Sequence, residues 1–313
     1  MTPQVSATPA IPSVFPSGKI YRMKPASQPN SDSYVFFEDS RPDEDTPVIA
    51  ICLPGIGDTR RQFRLLAPLL HEQLGVRVLL GDLRGFGDST DFQDEVGKSY
   101  SAYSPESVAS DVTQLLDELH AKHPSSEFLL LGNSLSAGSM VLAATHVSIQ
   151  STATIKAVVL LGPILRDSSM DTWFRPLSHL MFRKLYGAGI WMSYYKTLYP
   201  GKQPADFAHE LQVLHAHVNA KKGNVVNIGR FCRATKSAVA EAVVTLGAAS
   251  GSASPAVLAF YGRKDPDFGN FDDELVWIKG AIPRITCVED PEGGHYPHLE
   301  DPQRIADTIA KLL

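Results

Sequence analysis

The 313-residue sequence predicts an α/β protein with a mostly parallel central sheet and helices on both of its faces. Short apolar runs without polar alternation, such as Val48–Leu53 and Phe128–Leu131, are typical of strands that are buried on both sides. Longer segments with helical apolar spacing, such as Pro105–His120, separate these runs, and that order is typical of parallel sheets. The alternation breaks once, over residues 165–254, where the pattern predicts helices without a strand.

The elements follow from these patterns in chain order. Residues 1–17, with four prolines, are predicted as an irregular arm, and the next two strands as an antiparallel edge pair. The predicted strands are Gly18–Lys24, Tyr34–Glu38, Val48–Leu53, Val76–Leu80, Phe128–Leu131, Lys156–Leu161, Val257–Tyr261 and Arg284–Val288. The predicted core helices are Gln62–Leu74, Pro105–His120, Leu135–His146 and Pro302–Leu313.

Residues 165–254 are predicted as a helical cap inserted into a core made of residues 18–164 and 255–313. The chain has 3 Trp, 10 Tyr and 14 Phe, and eight of these aromatic residues lie within residues 165–199. Such a segment fits an ordinary helical core or a roof over an apolar pocket, and the composition leaves both open. For the second case the candidate pocket residues are Trp173, Phe174, Trp191 and Tyr195.

Composition excludes several classes of function. The formal net charge of −5 lacks the excess of cations that nucleic-acid backbones require, so we expect no nucleic-acid partner. Three widely spaced cysteines do not form a disulfide framework, and the N-terminus lacks the pattern of a signal peptide, so we expect a cytoplasmic location. The apolar runs are too short to cross a bilayer. The oligomeric state stays open.

The segment Gly132–Gly138 follows a predicted strand and opens a predicted helix, which is the context that a nucleophile elbow needs. Ser134 would stand at the tip of the turn, with Ser136 in the position where a second glycine is usual. A serine at this point is also a good helix N-cap, so the motif alone leaves both interpretations open.

A nucleophilic serine needs a base that a third group orients. Asp265 follows the strand Val257–Tyr261, and His295 follows the strand Arg284–Val288, so the order is serine, acid, histidine. Asp267 is the alternative acid, with Asp167 as a third candidate. Histidine pairs such as His215 and His217 lack a third ligand, so we expect no metal and no cofactor.

Five segments together resemble the α/β-hydrolase-fold serine hydrolases, from about Ile20 to Leu313. They are Leu53–Gly57, Asp82–Ser89, Gly132–Gly138, Gly262–Asp265 and Gly294–Glu300, which stand in the order of that family. Two positions depart from its pattern, since Pro54 replaces a histidine of the oxyanion loop and Ser136 replaces a glycine of the elbow.

The resemblance implies that Ser134 is the nucleophile, His295 the base and Asp265 the orienting acid, with an oxyanion hole formed by the backbone N–H groups of Ile56 and Leu135. We expect an acyl-enzyme mechanism on an ester, thioester or lactone of a small or medium apolar substrate. A C–C bond hydrolase or lyase with the same triad, and a small-ligand binder without catalysis, remain alternatives.

The charged residues of two further loops are expected to be structural. Asp82, Arg84 and Asp88 are predicted to tie loops together rather than to touch substrate. Arg60 and Arg61 are predicted to be solvated charges at the start of a helix, with capture of a substrate carboxylate as the alternative.

Overall fold

The protein forms one eight-stranded sheet in a computed structural model that describes residues 11–26, 28, 30–94, 99–150, 153–220, 222–249 and 254–313. Residues 1–10 of the predicted arm, and 250–253 near the predicted end of the cap, lie outside the described residues. The strands are β1 (Lys19–Met23), β2 (Val35–Asp39), β3 (Val48–Leu53), β4 (Arg77–Gly81), β5 (Glu127–Asn133), β6 (Thr154–Leu161), β7 (Ala256–Gly262) and β8 (Thr286–Asp290).

The strand order is β1-β2-β4-β3-β5-β6-β7-β8, and every pair from β4 to β8 is parallel. β1 pairs antiparallel with β2, which pairs antiparallel with β4, so the α/β class and the antiparallel pair are confirmed. Only β1 of that pair stands at the edge. Because parallel strands end on the same side of a sheet, the loops after β3, β5, β7 and β8 meet at one end.

The helices cover both faces of the sheet. They are α1 (Leu66–Pro68), α2 (Pro105–Lys122), α3 (Leu135–Gln150), α4 (Asp171–Met181), α5 (Gly187–Thr197), α6 (Phe207–Ala220), α7 (Lys222–Arg233), α8 (Ser237–Ala248), α9 (Phe271–Ala281), α10 (Pro297–Glu300) and α11 (Pro302–Ala310). Among the helices of the described chain, none is long and apolar enough to cross a membrane. Helix α9, whose N-cap residue Asn270 accepts a hydrogen bond from Asp273 N, is absent from the helices predicted from the sequence.

The prediction of one continuous helix over Gln62–Leu74 is wrong. The segment is divided into a 3-10 turn over Arg60–Phe63, the short α1 and a π-helical turn over Leu69–Gln73. Pro68 lies at the junction of the last two, where it supplies no N–H for a helical hydrogen bond. Apolar spacing alone does not report this break.

The segment predicted as a cap, residues 165–254, contains the helices α4 to α8. α8 packs against α3, where the nearest atom to a Cβ built on Gly138 would be Val239 Cγ1 at 2.7 Å. Arg284, in the loop before β8, donates to Leu246 O at 2.7 Å. α8 therefore packs with the helical layer of the core, and we propose that the cap consists of α4 to α7 and ends before Ser237.

Two apolar clusters lie on opposite faces of the sheet, as the alternation along β3 shows. Ile49 and Ile51 belong to the first cluster, with α2, α3 and α8, while Ala50 and Cys52 belong to the second, with α1 and α11. Trp191 of the cap is part of the first cluster. The cap and the core therefore share buried apolar side chains and pack as one unit.

Candidate active site

Ser134 occupies a tight turn between β5 and α3. Its φ of 57° makes it the one non-glycine residue with positive φ in the described part of the chain. A helix N-cap adopts extended backbone angles, so this φ favours the nucleophile elbow over the N-cap interpretation. A Cβ on Gly132 would stand 2.5 Å from Ser136 O, which explains why the turn needs glycine two residues before Ser134.

Ser136 links the elbow to the loop after β3. Its buried Oγ donates a hydrogen bond of 2.5 Å to Pro54 O. The two departures from the family pattern are therefore in contact with each other. A hydroxyl at the second elbow position holds the loop in which proline stands where a histidine is usual.

The loop after β3 lies directly against the turn of Ser134. A Cβ on Gly55 would stand 3.0 Å from Ser134 Cβ and 3.6 Å from its Oγ. The N–H groups of Ile56 and Leu135 donate to no acceptor within the described residues. Leu135 begins α3, and free N–H groups at a helix N-terminus favour developing negative charge. These two donors suit an oxyanion hole.

His295 contacts both candidate acids. Its Nδ1 lies 2.7 Å from Asp265 Oδ2 and 3.6 Å from Asp267 Oδ2. Asp265 is fully buried and also accepts a hydrogen bond of 2.9 Å from Asp267 N, whereas the Asp267 side chain is 23% exposed. The distances favour Asp265 as the orienting group. Asp167, the third candidate, pairs instead with Arg175 at 2.6 Å.

Close packing explains the glycine before His295. Gly294 is absent from the described residues with positive φ, and a Cβ there would lie 2.5 Å from Leu198 O. His295 N donates to the same Leu198 O at 3.0 Å, and Asn133 Nδ2 donates to His295 O at 3.2 Å. The end of α5 and the residue before Ser134 together hold the histidine.

No hydrogen bond joins Ser134 Oγ to His295 within the described residues. Asn133 Nδ2 donates to both Leu161 O and His295 O, while Ser134 N donates to Leu161 O at 3.0 Å. The Asn133 side chain thus links the backbone of His295 to the end of β6, and the backbone of Ser134 bonds to the same carbonyl of β6. Such a catalytic contact often tightens only when substrate binds.

Carboxylates raise the pKa of His295. Burial alone would lower it, but the charges of Asp265 and Asp267 outweigh burial and raise the pKa to about 9. Asp58 adds a smaller contribution of the same sign. Because only the neutral imidazole accepts a proton, the base form grows as the pH rises towards that value.

A buried polar cluster that sequence reasoning missed lies beside the histidine. Asp58 Oδ2 accepts a hydrogen bond of 2.8 Å from Tyr296 OH, and burial raises the pKa of Asp58 to about 6. Gln62 Nε2 donates to Tyr195 OH at 2.7 Å, and Tyr195 OH lies 3.2 Å from Tyr199 OH. In the sequence, this cluster is indicated only by the position of Asp58, two residues after Ile56 of the oxyanion loop.

Helix α5 packs against the loops that carry the candidate site. A Cβ on Gly57 would lie 2.6 Å from Trp191 Cε2, so the indole lies against the oxyanion loop. Tyr194 OH donates to Asp267 Oδ1, a contact that the sequence analysis did not foresee. Trp191 is 6% exposed, and its Nε1 is buried with no hydrogen-bond partner in the described chain. One helix thus contacts both the oxyanion loop and the acid loop.

The four predicted pocket residues separate into three groups. Trp191 and Tyr195 are buried on α5, and Phe174 is half-buried against the same apolar cluster. Trp173 is 80% exposed on α4, so the expectation that it lines an enclosed pocket is wrong. Aromatic content along the chain does not tell which side of a helix faces inward, and this is why Trp173 was misplaced.

Ligand atoms of Asp265, Asp267 and His295 lie within 4.8 Å of one another, a spacing that also fits a metal site. The 2.7 Å contact between His295 Nδ1 and Asp265 Oδ2 requires a proton on one of the two atoms, and this is the relation of base and orienting acid.

His217, one of the histidines considered as a metal ligand, accepts a hydrogen bond of 2.9 Å from Gly87 N and so joins α6 to the loop after β4.

The arginines after the oxyanion loop are structural, and the expectation that they are solvated is wrong. Arg60 is 3% exposed and pairs with Glu38 and Asp82, while Asp88 lies 2.9 Å from its Nη1. Arg61 pairs with Glu210 of α6. The expectation for the loop after β4 is confirmed, because Arg84 is buried in a two-bond pair with Asp111 at 2.7 and 2.8 Å.

The sequence profile of the Alpha/beta hydrolase family matches residues 50–308, a span that includes all three candidate triad residues. The chain belongs to the alpha/beta hydrolase family. A search of curated protein sequences gave no match. Membership agrees with the fold and with the order of the five loops.

Solved structures of other alpha/beta hydrolases share the fold of this one. An esterase from Thermogutta terrifontis is 18% identical, with a TM-score of 0.66 and coverage of 94% of this chain and 97% of that chain. An enol-lactonase from Burkholderia xenovorans is 15% identical, with a TM-score of 0.65 and coverage of 90% and 96%. A bromoperoxidase from Bacillus anthracis is 17% identical, with a TM-score of 0.67 and coverage of 95% and 99%. At these identities the likeness concerns the fold alone.

Proposed function

We propose that this alpha/beta hydrolase is a serine esterase that acts on esters, thioesters or lactones of small or medium apolar acyl groups. The observation that carries the proposal is the strained Ser134 at the head of α3, directly after Asn133, whose side chain bonds to the carbonyl of His295 in the buried His295–Asp265 pair. A non-catalytic binder has no need for a positive φ at serine, which costs about 1–3 kcal/mol.

In the proposed mechanism, Ser134 Oγ attacks the carbonyl carbon while His295 takes the hydroxyl proton. The C=O electron pair moves to the oxygen, where the N–H groups of Ile56 and Leu135 bind the resulting oxyanion. Collapse breaks the bond to the leaving group, which receives the proton from His295. Water then repeats the sequence on the acyl-enzyme and releases the acid, while Asp265 holds the His295 imidazole and stabilises its cation.

The cap supports the choice of an apolar acyl group. Trp191 lies over the oxyanion loop, and Met192 and Tyr195 of the same helix are buried with it. The Nε1 of Trp191 is buried and has no hydrogen-bond partner among the described residues. A substrate oxygen is a suitable acceptor for it.

We expect Ser134→Ala to lower kcat on p-nitrophenyl acetate, butyrate and octanoate by roughly 10³-fold or more, because the nucleophile is lost. Thioester and lactone substrates belong in the same assay. Mass spectrometry of the wild type after a fluorophosphonate probe is expected to show one adduct on Ser134. The probe also separates an esterase from a binder, which would not react.

Ser139→Ala is the matched control. Ser139 lies on α3, about one and a half helical turns after Ser134. Its buried Oγ has no hydrogen-bond partner in the described chain. We expect this variant to keep wild-type turnover and labelling. Turnover that survives in Ser134→Ala would contradict the proposal.

A further inference from the structure

The outer side of α4 and the turn after it carry large apolar side chains in solvent. Trp173, Leu177 and Leu180 are 80%, 50% and 57% exposed, and they recur at the helical spacing of one face. Met170 just before the helix is 71% exposed and Leu185 just after it is 92% exposed. We call these five residues the α4 patch. Monomeric proteins rarely leave a large apolar patch uncovered.

The other sides of α4 show why the patch is not part of the fold's own packing. Phe174 and Met181 pack against the apolar cluster of the core, and Ser178 is fully buried. Thr172 and His179 are exposed polar residues on the opposite flank. The helix thus has an apolar sector that is wider than the core needs, and half of this sector faces solvent.

The charged side chains between residues 172 and 205 are all cations, while Asp171 at the first position of α4 pairs with Lys236. The sequence holds no Asp or Glu from residue 172 to residue 205, although the whole chain has a net charge of −5. Five cations lie in that stretch, of which Arg175 pairs with Asp167 and Lys202 lies 3.9 Å from Asp290, while the others are Arg183, Lys184 and Lys196. Arg183 and Lys184 are exposed beside Leu185 and pair with no acid of the described chain.

We infer that the α4 patch docks this hydrolase on the surface of a bilayer with anionic headgroups. An exposed apolar stripe with a Trp, flanked by Arg and Lys, is the composition of helices that lie in the membrane interface. At 11 residues α4 is too short to span a membrane, so the contact is with the surface. The cations face the lipid phosphates while the apolar side chains enter the headgroup boundary.

Vesicle binding tests this inference, with phosphatidylcholine vesicles and with vesicles that also contain about 30% phosphatidylglycerol. We expect sedimentation with the anionic vesicles, weaker binding to the neutral ones, and a blue shift of Trp emission that disappears in Trp173→Phe. Leu177→Ser with Leu180→Ser is expected to weaken binding tenfold or more. Arg183→Gln with Lys184→Gln is expected to weaken it about 30-fold.

Matched controls come from other exposed residues. Val244 and Val276 are 56% and 73% exposed elsewhere, so Val244→Ser with Val276→Ser removes apolar surface without touching the patch. Lys24→Gln with Lys311→Gln removes two exposed cations in the same way. Neither pair is expected to change vesicle binding. Thermal unfolding of all variants checks that the substituted proteins are folded.

Three results would overturn the inference. They are absence of binding to anionic vesicles, binding that the α4 variants leave unchanged, and a concentration-dependent dimer in sedimentation velocity that the same variants abolish without any vesicle binding. The last result would assign the patch to a second copy of the chain. Ser134→Ala is measured in parallel and is expected to bind like the wild type, so failure of docking and failure of the proposed catalysis remain distinguishable.

Discussion

At the scale of residues, the site depends on two carboxylates that lie two positions apart. Asp265 is buried and closest to His295, whereas Asp267 is partly exposed and held by Tyr194. Both are negative neighbours of one imidazole, but only the first has hydrogen-bond geometry. We therefore assign them different effects, with Asp265 orienting the base and Asp267 adjusting its pKa.

Asp267→Asn is expected to move the pH dependence of kcat/KM to lower pH. His295 has a pKa raised to about 9, so activity of the wild type should increase with pH up to that value. Asparagine removes one negative charge and keeps an acceptor for Tyr194, so the midpoint should fall by about one unit. The measurement is a pH–rate profile between pH 6 and 10 on a neutral ester.

Asp265→Asn is the comparison variant. It removes the charge and also disturbs the orientation of His295, so we expect kcat to fall by roughly 10³- to 10⁴-fold. Equal losses of kcat in the two variants, or a profile of Asp267→Asn that coincides with the wild type, would contradict this division of roles.

At the scale of elements, the cap is fastened to the core by ions as well as by apolar packing. Arg64, in the segment before α1, donates to both oxygens of Asp206 at 2.7 and 2.6 Å, and Arg61 pairs with Glu210. Asp206 directly precedes α6, and Glu210 lies in its first turn. Periodicity predicted helices in this region, but it contains no information on which loop of the core they meet.

Arg64→Gln is expected to loosen α6 rather than to unfold the protein. Since the Arg64 side chain is 9% exposed and Asp206 39%, we expect the pair to contribute about 1 kcal/mol. Hydrogen exchange of α6 amides should then be roughly fivefold faster, with little change in β5.

Lys156→Gln is a control for Arg64→Gln, because its pair with Glu127 joins two strands of the core at 2.6 Å. It should leave exchange in α6 unchanged. If α6 exchanges equally fast in both variants and in the wild type, the ion pairs do not hold the cap.

At the scale of the whole molecule, Arg60 connects regions that are distant in sequence. Its guanidinium contacts Glu38 of β2, Asp82 after β4 and the carbonyl of Ile11 in the N-terminal arm. Arg60 also lies over the ring of Phe36, 4.4 Å from its centroid. A cation that looked like a surface charge in the sequence therefore joins the antiparallel edge of the sheet to the parallel part.

Arg60→Met is expected to lower the free energy of unfolding by about 3–5 kcal/mol at pH 8, because two buried carboxylates lose their partner. Burial already raises the pKa of Asp82 and the Arg60 charge opposes that rise, so without the cation the pKa rises further and the ionised Asp82 is destabilising. The deficit should therefore shrink as the pH falls towards 5. Urea unfolding at both pH values measures it.

Arg22→Met provides the control, since Arg22 is exposed on β1 and its loss should cost little at either pH. A deficit for Arg60→Met that is the same at pH 8 and pH 5 would contradict the role of the buried carboxylates.

The sequence by itself determined the sheet, the order of the loops and the identity of the candidate serine and histidine. Runs of apolar residues report burial, and motifs at strand ends report which residues meet, because parallel strands end on one side. The strand Val48–Leu53 was predicted with its observed bounds. These features depend on local periodicity and on chain order, which a sequence contains.

Only the tertiary structure decided how side chains pair across elements. It placed Asp265 rather than Asp267 within hydrogen-bond distance of His295, turned Trp173 to solvent and packed α8 against α3. Each outcome depends on distances of an ångström or on which side of a helix meets a neighbour. Such distances arise from the packing of segments far apart in the chain, and residue order alone does not encode them in a readable pattern.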